Sequence, residues 1–230
     1  GVRDVGDSLK RLEIGSSLGI PELLAISSLL TVAARAKAYG RHEESDEIED
    51  DSLDEMFRSL EPLTPVNNEI KRCIISEEEV SDDASPGLHR VRRSMKGIND
   101  RIHTQLNSIL NSSRTYLQDA VITMRDGRYC LPVRSEYKNQ VSGMVHDQSA
   151  TGSTLFVEPM AIIQLNNELR TLEIQEHKEI EAVLADLSNQ LAPYTESLAV
   201  NLELLTRLDF IFAKASLSRH YKCSQPRFNQ

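Results

Sequence analysis

The sequence predicts a mainly α-helical protein with a small antiparallel β insertion: a helical core, an arm of two long helices and a β-rich tip. Two stretches of about thirty residues, 87–118 and 159–191, carry apolar residues at every third or fourth position, a spacing typical of long paired helices. Between them, residues 119–158 alternate apolar and polar side chains, as strands do. The chain has 230 residues, 40% of them apolar, which is enough to bury a core.

The first 86 residues predict the helical core. Residues 20–41 keep helical spacing, and Pro21 suits the first turn of a helix. The acidic run from Glu43 to Asp51 is expected to be a solvated loop, followed by short helices around 52–60 and 66–74. A second acidic, turn-like run ends at Pro86.

The arm is predicted from two apolar seams. The outgoing helix, 87–118, carries Leu88, Val91, Met95, Ile98, Ile102, Leu106 and Ile109. The returning helix, 159–191, carries Ile162, Leu165, Leu169 and Leu172 and then, after an interruption near Glu176, Ile180, Val183, Leu187 and Leu191. Because the seams match in length, we expect the two helices to pair antiparallel. A last helix, from about Tyr194 to Tyr221, returns to the core, so residues 159–230 combine the returning arm helix and a core helix.

The tip, residues 119–158, predicts about four strands. They are expected at Val121–Met124, Arg128–Arg134, Val141–Gln148 and Ser153–Glu158, with a turn at Arg125–Gly127. Pro132 within the second strand implies an edge or a bulge, because proline cannot donate to the sheet.

Composition excludes several classes of function. No apolar run reaches the roughly 20 residues of a membrane helix. Neither a GxxxxGK[ST] nor a GxGxxG loop occurs, so no nucleotide-binding loop of those kinds is expected. The three scattered cysteines argue against a disulfide framework and structural zinc, and favour a cytoplasmic location. The first residues carry no initiator Met, from which we expect the numbering to start inside a longer protein.

The net charge of -9 is unevenly distributed. Residues 1–86 hold 9 basic and 20 acidic side chains, whereas residues 87–158 hold 10 basic and 6 acidic ones. Four of the basic residues fall in or beside the tip: Arg125, Arg128, Arg134 and Lys138. Arg128 and Arg134 are six residues apart in one strand, so they are predicted to share a face. Such a row of cations without aromatic side chains would contact phosphates and read little sequence; the alternative is an ordinary solvated strand face.

Other candidates for chemistry are weaker. His146 and Asp147 beside Ser149 and Ser153 suggest a hydrolase, but no GxSxG elbow is present, and we favour a structural role for His146. The acidic runs do not match a calcium loop, so no metal site is expected. Phe156-Val157-Glu158 fits an F-x-E pattern, but its place at the end of a predicted strand favours packing within the tip. We therefore expect no catalytic residue and no bound cofactor in this segment.

Three runs carry a resemblance to a known family. They are VSDDASPGLHRVRRSMKGIND, DGRYCLPVRSEYKNQVSGMVHDQSATGSTLFVEPMAIIQLNNELRTLE and LDFIFAKA. In this order they resemble the entry into the lever helix, the clamp and the later lever helix of the second bacterial branch of the MutS family. Residues 1–75 resemble the helical core of that family more loosely.

The resemblance implies a core, lever and clamp segment without the ATPase and Smr nuclease domains of the family. ATP and Mg²⁺ are then expected for the ATPase domain, not for this segment. The implied partners are nucleic acid (branched DNA, ribosomal RNA or both) and the ribosome, with suppression of recombination or rescue of stalled ribosomes as the implied role. The full-length form is expected to be a homodimer, whereas the segment could be monomeric. The alternative is a protein-interaction arm whose tip docks a protein partner without touching nucleic acid.

Overall fold

The computed structural model describes residues 3–40 and 52–223, and it confirms the predicted fold class: mainly α, with a small antiparallel sheet of four strands. The predicted acidic loop, Glu43–Asp51, lies outside the described residues. The helices are α1 (Gly6–Glu13), α2 (Ile20–Tyr39), α3 (Ser52–Arg58), α4 (Thr64–Cys73), α5 (Pro86–Ser112), α6 (Ile163–Leu191) and α7 (Thr195–Tyr221). The strands are β1 (Thr123–Arg125), β2 (Arg128–Arg134), β3 (Gly143–Gln148) and β4 (Thr154–Pro159).

The described chain divides into two compact units. The first consists of residues up to 84 together with those from 181 onward, and the second of residues 85–180. The first unit is a helical body with a leucine- and isoleucine-rich interior. Its buried polar side chains are satisfied: Asn201 accepts from the backbone N–H of Glu61 at 2.8 Å and donates to its carbonyl at 2.7 Å.

The residues of α6 from 181 onward belong to the first unit. In this part of the helix, Val183, Leu187 and Leu191 are buried. Ser188 marks this packing, because its hydroxyl accepts from the backbone N–H of Leu18 at 2.9 Å. The interruption of the seam near Glu176 therefore lies close to a change of unit.

The second unit contains the antiparallel arm. Arg92 near the start of α5 forms an ion pair of 2.7 Å with Glu176 of α6, and the Ser85 hydroxyl lies 3.4 Å from Glu179. Further along α5, Ile102 and Leu106 enter the same apolar cluster as residues near the start of α6. α5 begins where the sequence indicates: Ser85 accepts from the backbone N–H of Leu88 at 3.0 Å, and Pro86 occupies the first turn.

Both arm helices are shorter than predicted. α5 ends at Ser112 instead of 118, because Leu117 leaves the helix and forms a β-bridge with Val133. α6 begins at Ile163 instead of 159, because β4 runs through Pro159 and a short 3₁₀ turn follows it. Residues that the sequence assigned to the ends of these helices therefore pair with the sheet instead.

The sheet has the strand order β1-β2-β4-β3, with all neighbours antiparallel. Pro132 lies in a central strand, but β1 pairs with β2 only as far as Cys130. The Pro132 carbonyl then accepts from the backbone N–H of Gln118 at 2.8 Å, on the side that β1 has left. The proline is thus tolerated at a local edge, as the sequence indicated.

One face of the sheet packs on the arm helices and forms the core of the second unit. The buried members of this core come from both arm helices, the sheet and the connections: Ile102, Leu106, Leu110, Leu117, Leu131, Val133, Val141, Leu155, Val157, Ile162, Leu165 and Leu169. Leu131 and Val133 of β2 point into this core. We call the opposite face of the sheet the outer face.

Candidate nucleic-acid interface

The outer face carries the polar and charged side chains of the tip. Strand register places Arg125 opposite Arg128, Pro132 opposite Phe156 and Arg134 opposite Thr154. Since side chains alternate along a strand, these residues share the outer face with Cys130 and Glu158. This alternation predicted the face correctly, but not its degree of exposure, because Cys130 is fully buried.

A buried carboxylate, Glu158, lies at the centre of the outer face. Its exposed fraction is 0%. The Arg128 guanidinium donates to Oε1 at 2.7 Å, Asn166 Nδ2 donates to the same oxygen at 2.7 Å, and His146 Nε2 lies 2.5 Å from Oε2. A buried carboxylate needs such partners, since removal from water without them is costly.

α6 supplies two asparagines to this cluster. Asn166 also accepts from the N–H of Tyr129 and donates to the Tyr129 carbonyl, both at 3.4 Å. It thereby hydrogen-bonds a residue of β2 that is not paired with β4, since that pairing begins at Leu131. Asn167 accepts from the second terminal nitrogen of Arg128 at 2.5 Å. The Arg128 guanidinium is therefore held between a strand carboxylate and a helix amide.

Arg125 is engaged in a different way. Its Nε lies 3.1 Å from Oδ2 of Asp147, and its guanidinium carbon lies 3.7 Å from the centre of the Phe156 ring. Such stacking of a guanidinium on an aromatic face is favourable. Phe156 is half-buried beneath Arg125, in agreement with the predicted packing role within the tip.

Arg134 and Lys138 differ from both of these arginines. Arg134 ends β2, Lys138 lies in the following 3₁₀ segment, and both side chains are exposed. Neither forms an ion pair with any residue in the described ranges 3–40 and 52–223.

The four predicted cations are thus of two kinds. Arg125 and Arg128 lie next to each other on paired strands, and each is matched by a carboxylate, whereas Arg134 and Lys138 are exposed and unmatched within the described chain. The assignment of all four to phosphate contacts stays a prediction. Sequence reasoning missed the central role of Glu158. A signal was present, because Glu158 is the one charged residue in the run TLFVEP.

The hydroxyls near His146 do not form a catalytic arrangement with it. Ser149 Oγ accepts from the backbone N–H of Thr154 at 3.1 Å, and Ser153 Oγ lies 2.9 Å from Thr151 Oγ1. Among the described residues, neither serine is hydrogen-bonded to the imidazole, which contacts Glu158 instead. The structural role that the sequence favoured for His146 stays a prediction, and the contact with Glu158 supports it.

Cys130 is a buried thiol beside this cluster. Burial raises its pKa to about 11, and the Glu158 carboxylate contributes in the same direction. The three cysteines are free thiols. Within the described ranges, no three His, Cys, Asp or Glu side chains are close enough together to hold a metal ion, and no helix there is long and apolar enough to cross a membrane.

Comparison with known proteins gives matches that span the whole of this chain. No model of a protein family matches the chain. It is 59% identical over 235 residues to a protein of Lachnoclostridium phytofermentans named endonuclease MutS2, covering 100% of this chain and 30% of that protein. Proteins of the same name from Agathobacter rectalis and Lachnospira eligens are 56% and 52% identical, over 100% and 99% of this chain and 29% and 28% of their own lengths. The chain therefore spans less than a third of the length of these relatives.

Proposed function

This chain belongs to the second bacterial branch of the MutS family, and on that basis we propose that it forms the lever and clamp region of such a protein. In this proposal, the tip of the second unit contacts the phosphate backbone of nucleic acid. The helices of the arm hold the tip in place through the apolar core and through Arg128, Glu158 and the two α6 asparagines.

The observation that carries the proposal is the state of the tip cations. An arginine already paired with a buried carboxylate has less to gain from a phosphate than an arginine in water without a partner. Within the described chain, neither Arg134 nor Lys138 has a carboxylate partner. Their positions near the end of β2 put two positive charges on an accessible surface. Arg125 and Arg128 would add long-range attraction, reduced by Asp147 and Glu158. Contacts of this kind bind phosphates irrespective of base sequence.

The rest of the function belongs to the whole protein. The relatives are named endonucleases, and we place any such activity, together with the binding of ATP and Mg²⁺, outside this segment. In the full-length homodimer the lever would couple the state of the ATPase domain to closure of the clamp on branched DNA or on the RNA of a ribosome. Control of recombination or rescue of stalled ribosomes would follow from that closure, in the cytoplasm.

A second candidate function rests on the apolar residues exposed at the tip. Met144 and Val145 of the edge strand β3 are exposed, and so is Met124 of β1. Such residues beside an open strand edge suit the docking of a protein partner. In this alternative, the tip cations contribute nothing to binding.

Salt dependence distinguishes the two candidates. We expect the chain to bind junction DNA or an RNA hairpin weakly, with a Kd on the order of 10⁻⁴ to 10⁻⁶ M at physiological salt. The double variant Arg134→Ala/Lys138→Ala should weaken binding and reduce the slope of log K against log salt by about two units, because roughly one fewer counterion is released for each lost phosphate contact.

A matched control removes the same charge elsewhere. Arg93 and Lys96 are exposed on α5 of the same unit, so the variant Arg93→Ala/Lys96→Ala tests whether net charge alone sets the affinity. Equal affinity and slope for the wild type and Arg134→Ala/Lys138→Ala on both ligands would contradict phosphate contact at the tip. In that case, the protein-docking arm becomes the better account.

A further inference from the structure

We propose that the loop Ser149–Ser153 between β3 and β4 forms, together with Arg134, a site for a phosphodiester group. We call this loop the hydroxyl loop. The proposal rests on the proposed function, and it adds hydrogen-bond donors beside Arg134 at the end of β2.

The position of the loop follows from strand register. Arg134, the last residue of β2, is the Cα partner of Thr154, the first residue of β4. The residue after Arg134 also donates its backbone N–H to the carbonyl of Ser153 at 3.0 Å. The hydroxyl loop is therefore fastened to the end of β2 that carries the unmatched Arg134.

The loop offers backbone donors to an outside group. Two of its N–H groups already have acceptors within the chain. Gly152 N–H donates to the Ser149 carbonyl at 2.8 Å, and Ser149 N–H donates to the Thr154 carbonyl at 2.9 Å. The N–H groups of Ala150, Thr151 and Ser153 make no hydrogen bond within the described chain, and all three residues are exposed. Successive unpaired N–H groups in a turn are a known means of binding anions.

The side chains add a further donor. Thr151 Oγ1 lies 3.4 Å from Ser149 Oγ and 2.9 Å from Ser153 Oγ, so three hydroxyls are linked by two contacts. Each hydroxyl carries one proton, and two contacts use two of them. One O–H therefore remains for an outside acceptor such as a phosphate oxygen.

The loop conformation is restrained by contacts within the loop and with β3. Gly152 has a φ of +74°, and a Cβ at this position would lie 2.9 Å from Gln148 Nε2. The Gln148 amide donates to the Gly152 carbonyl at 3.2 Å. A preformed set of donors loses little conformational entropy when it binds. The uncharged loop supplies directed hydrogen bonds, whereas Arg134 supplies the charge.

The test replaces Thr151 by glutamate, which puts a carboxylate where a phosphate oxygen would lie. Ser108→Glu is the matched control, because it adds the same charge to an exposed position of α5 in the same unit. Relative to the wild type, we expect Thr151→Glu to bind junction DNA and an RNA hairpin at least tenfold more weakly. Arg134→Ala should weaken binding by a similar factor. The milder Thr151→Val/Ser153→Ala should weaken binding several-fold, and Ser108→Glu should change it less than twofold.

Amide NMR separates this proposal from the proposed function. Titration with inorganic phosphate, and separately with a short oligonucleotide, should shift the amide signals of Ala150, Thr151 and Ser153 in the wild type but not in Thr151→Glu. If Arg134→Ala weakens nucleic-acid binding but the loop variants and loop amides are unaffected, the loop site is wrong and the proposed function stands. If phosphate shifts the loop amides but no nucleic acid binds, the anion site stands and the proposed function fails. If neither ligand shifts the loop amides, the site is refuted.

Discussion

Replacing Arg128 by alanine is expected to destabilise the second unit, in addition to any effect on nucleic-acid binding. The variant leaves the Glu158 carboxylate buried with only His146 and Asn166 as partners. A buried charge that loses its counter-ion costs far more than a surface ion pair contributes, because the carboxylate has no water to replace the lost partner.

The magnitude follows from the environment of the pair. Breaking a fully buried ion pair costs about 3–5 kcal/mol. The Glu158 side chain is 1% exposed but that of Arg128 is 29% exposed, and two hydrogen-bond partners of Glu158 remain. We therefore expect a loss of about 2–3 kcal/mol in the free energy of unfolding, below the range for a fully buried pair.

Urea unfolding followed by circular dichroism measures this loss. Arg134→Ala is the control, since it removes the same side chain from the same strand face without breaking an ion pair among the described residues, and it should stay within about 0.5 kcal/mol of the wild type. The double variant Arg128→Ala/Glu158→Gln should recover part of the stability, because its buried group is neutral. Equal stability of the two single alanine variants, or no recovery in the double variant, would refute the account of Glu158 as a buried charge.

Two further predictions test the core and the buried thiol. Ile102→Asp should destabilise the second unit by at least about 3 kcal/mol, because Ile102 is fully buried and a buried unpaired charge is costly. The control Ile174→Asp, at a position 52% exposed, should change the melting temperature little. Similar melting temperatures of the two variants would contradict the burial of Ile102 in the core. For Cys130, the folded chain retains a proton up to a pKa of about 11 that the unfolded chain releases near its ordinary value of 9.0. The contribution of this thiol to the free energy of unfolding should therefore be fully present below pH 9 and be lost as the pH rises towards 11. Urea unfolding should show a steeper loss over this range in the wild type than in Cys130→Ala. Parallel pH profiles of the two proteins would contradict a raised pKa of Cys130.

Periodicity predicted the fold well where one side of an element faces a core. The spacing of Ile102, Leu106, Leu165 and Leu169 identified both arm helices, since burial of one helical stripe requires that spacing. Periodicity failed at the helix ends, because Leu117 continues the helical pattern but pairs with β2. Tertiary pairing decides such residues, and it is not visible in local sequence.

The outer face was predicted only in part. Alternation along β2 placed Arg128 and Arg134 on one face, but it could not show that they differ in partners. That difference arises from Glu158, thirty residues away along the chain from Arg128, and from asparagines on α6. Contacts between elements separated in sequence determine which cation is free, so residue type alone was insufficient.

The division of the chain into two units has a consequence for its synthesis. The second unit is one continuous segment, 85–180, whose ends meet where Ser85 and Glu179 are 3.4 Å apart, whereas the first unit is formed by two segments on either side of it. On a ribosome adding about 5–20 residues per second, the second unit is complete before the later segment of the first unit has been made. The early helices up to residue 84 must then wait, with the faces of α1, α2 and α3 that pack on α7 uncovered, for as long as the translation of the insertion and of α7 takes. A pause in translation within residues 85–223 would lengthen this exposure and, with it, the opportunity for chaperone binding or aggregation.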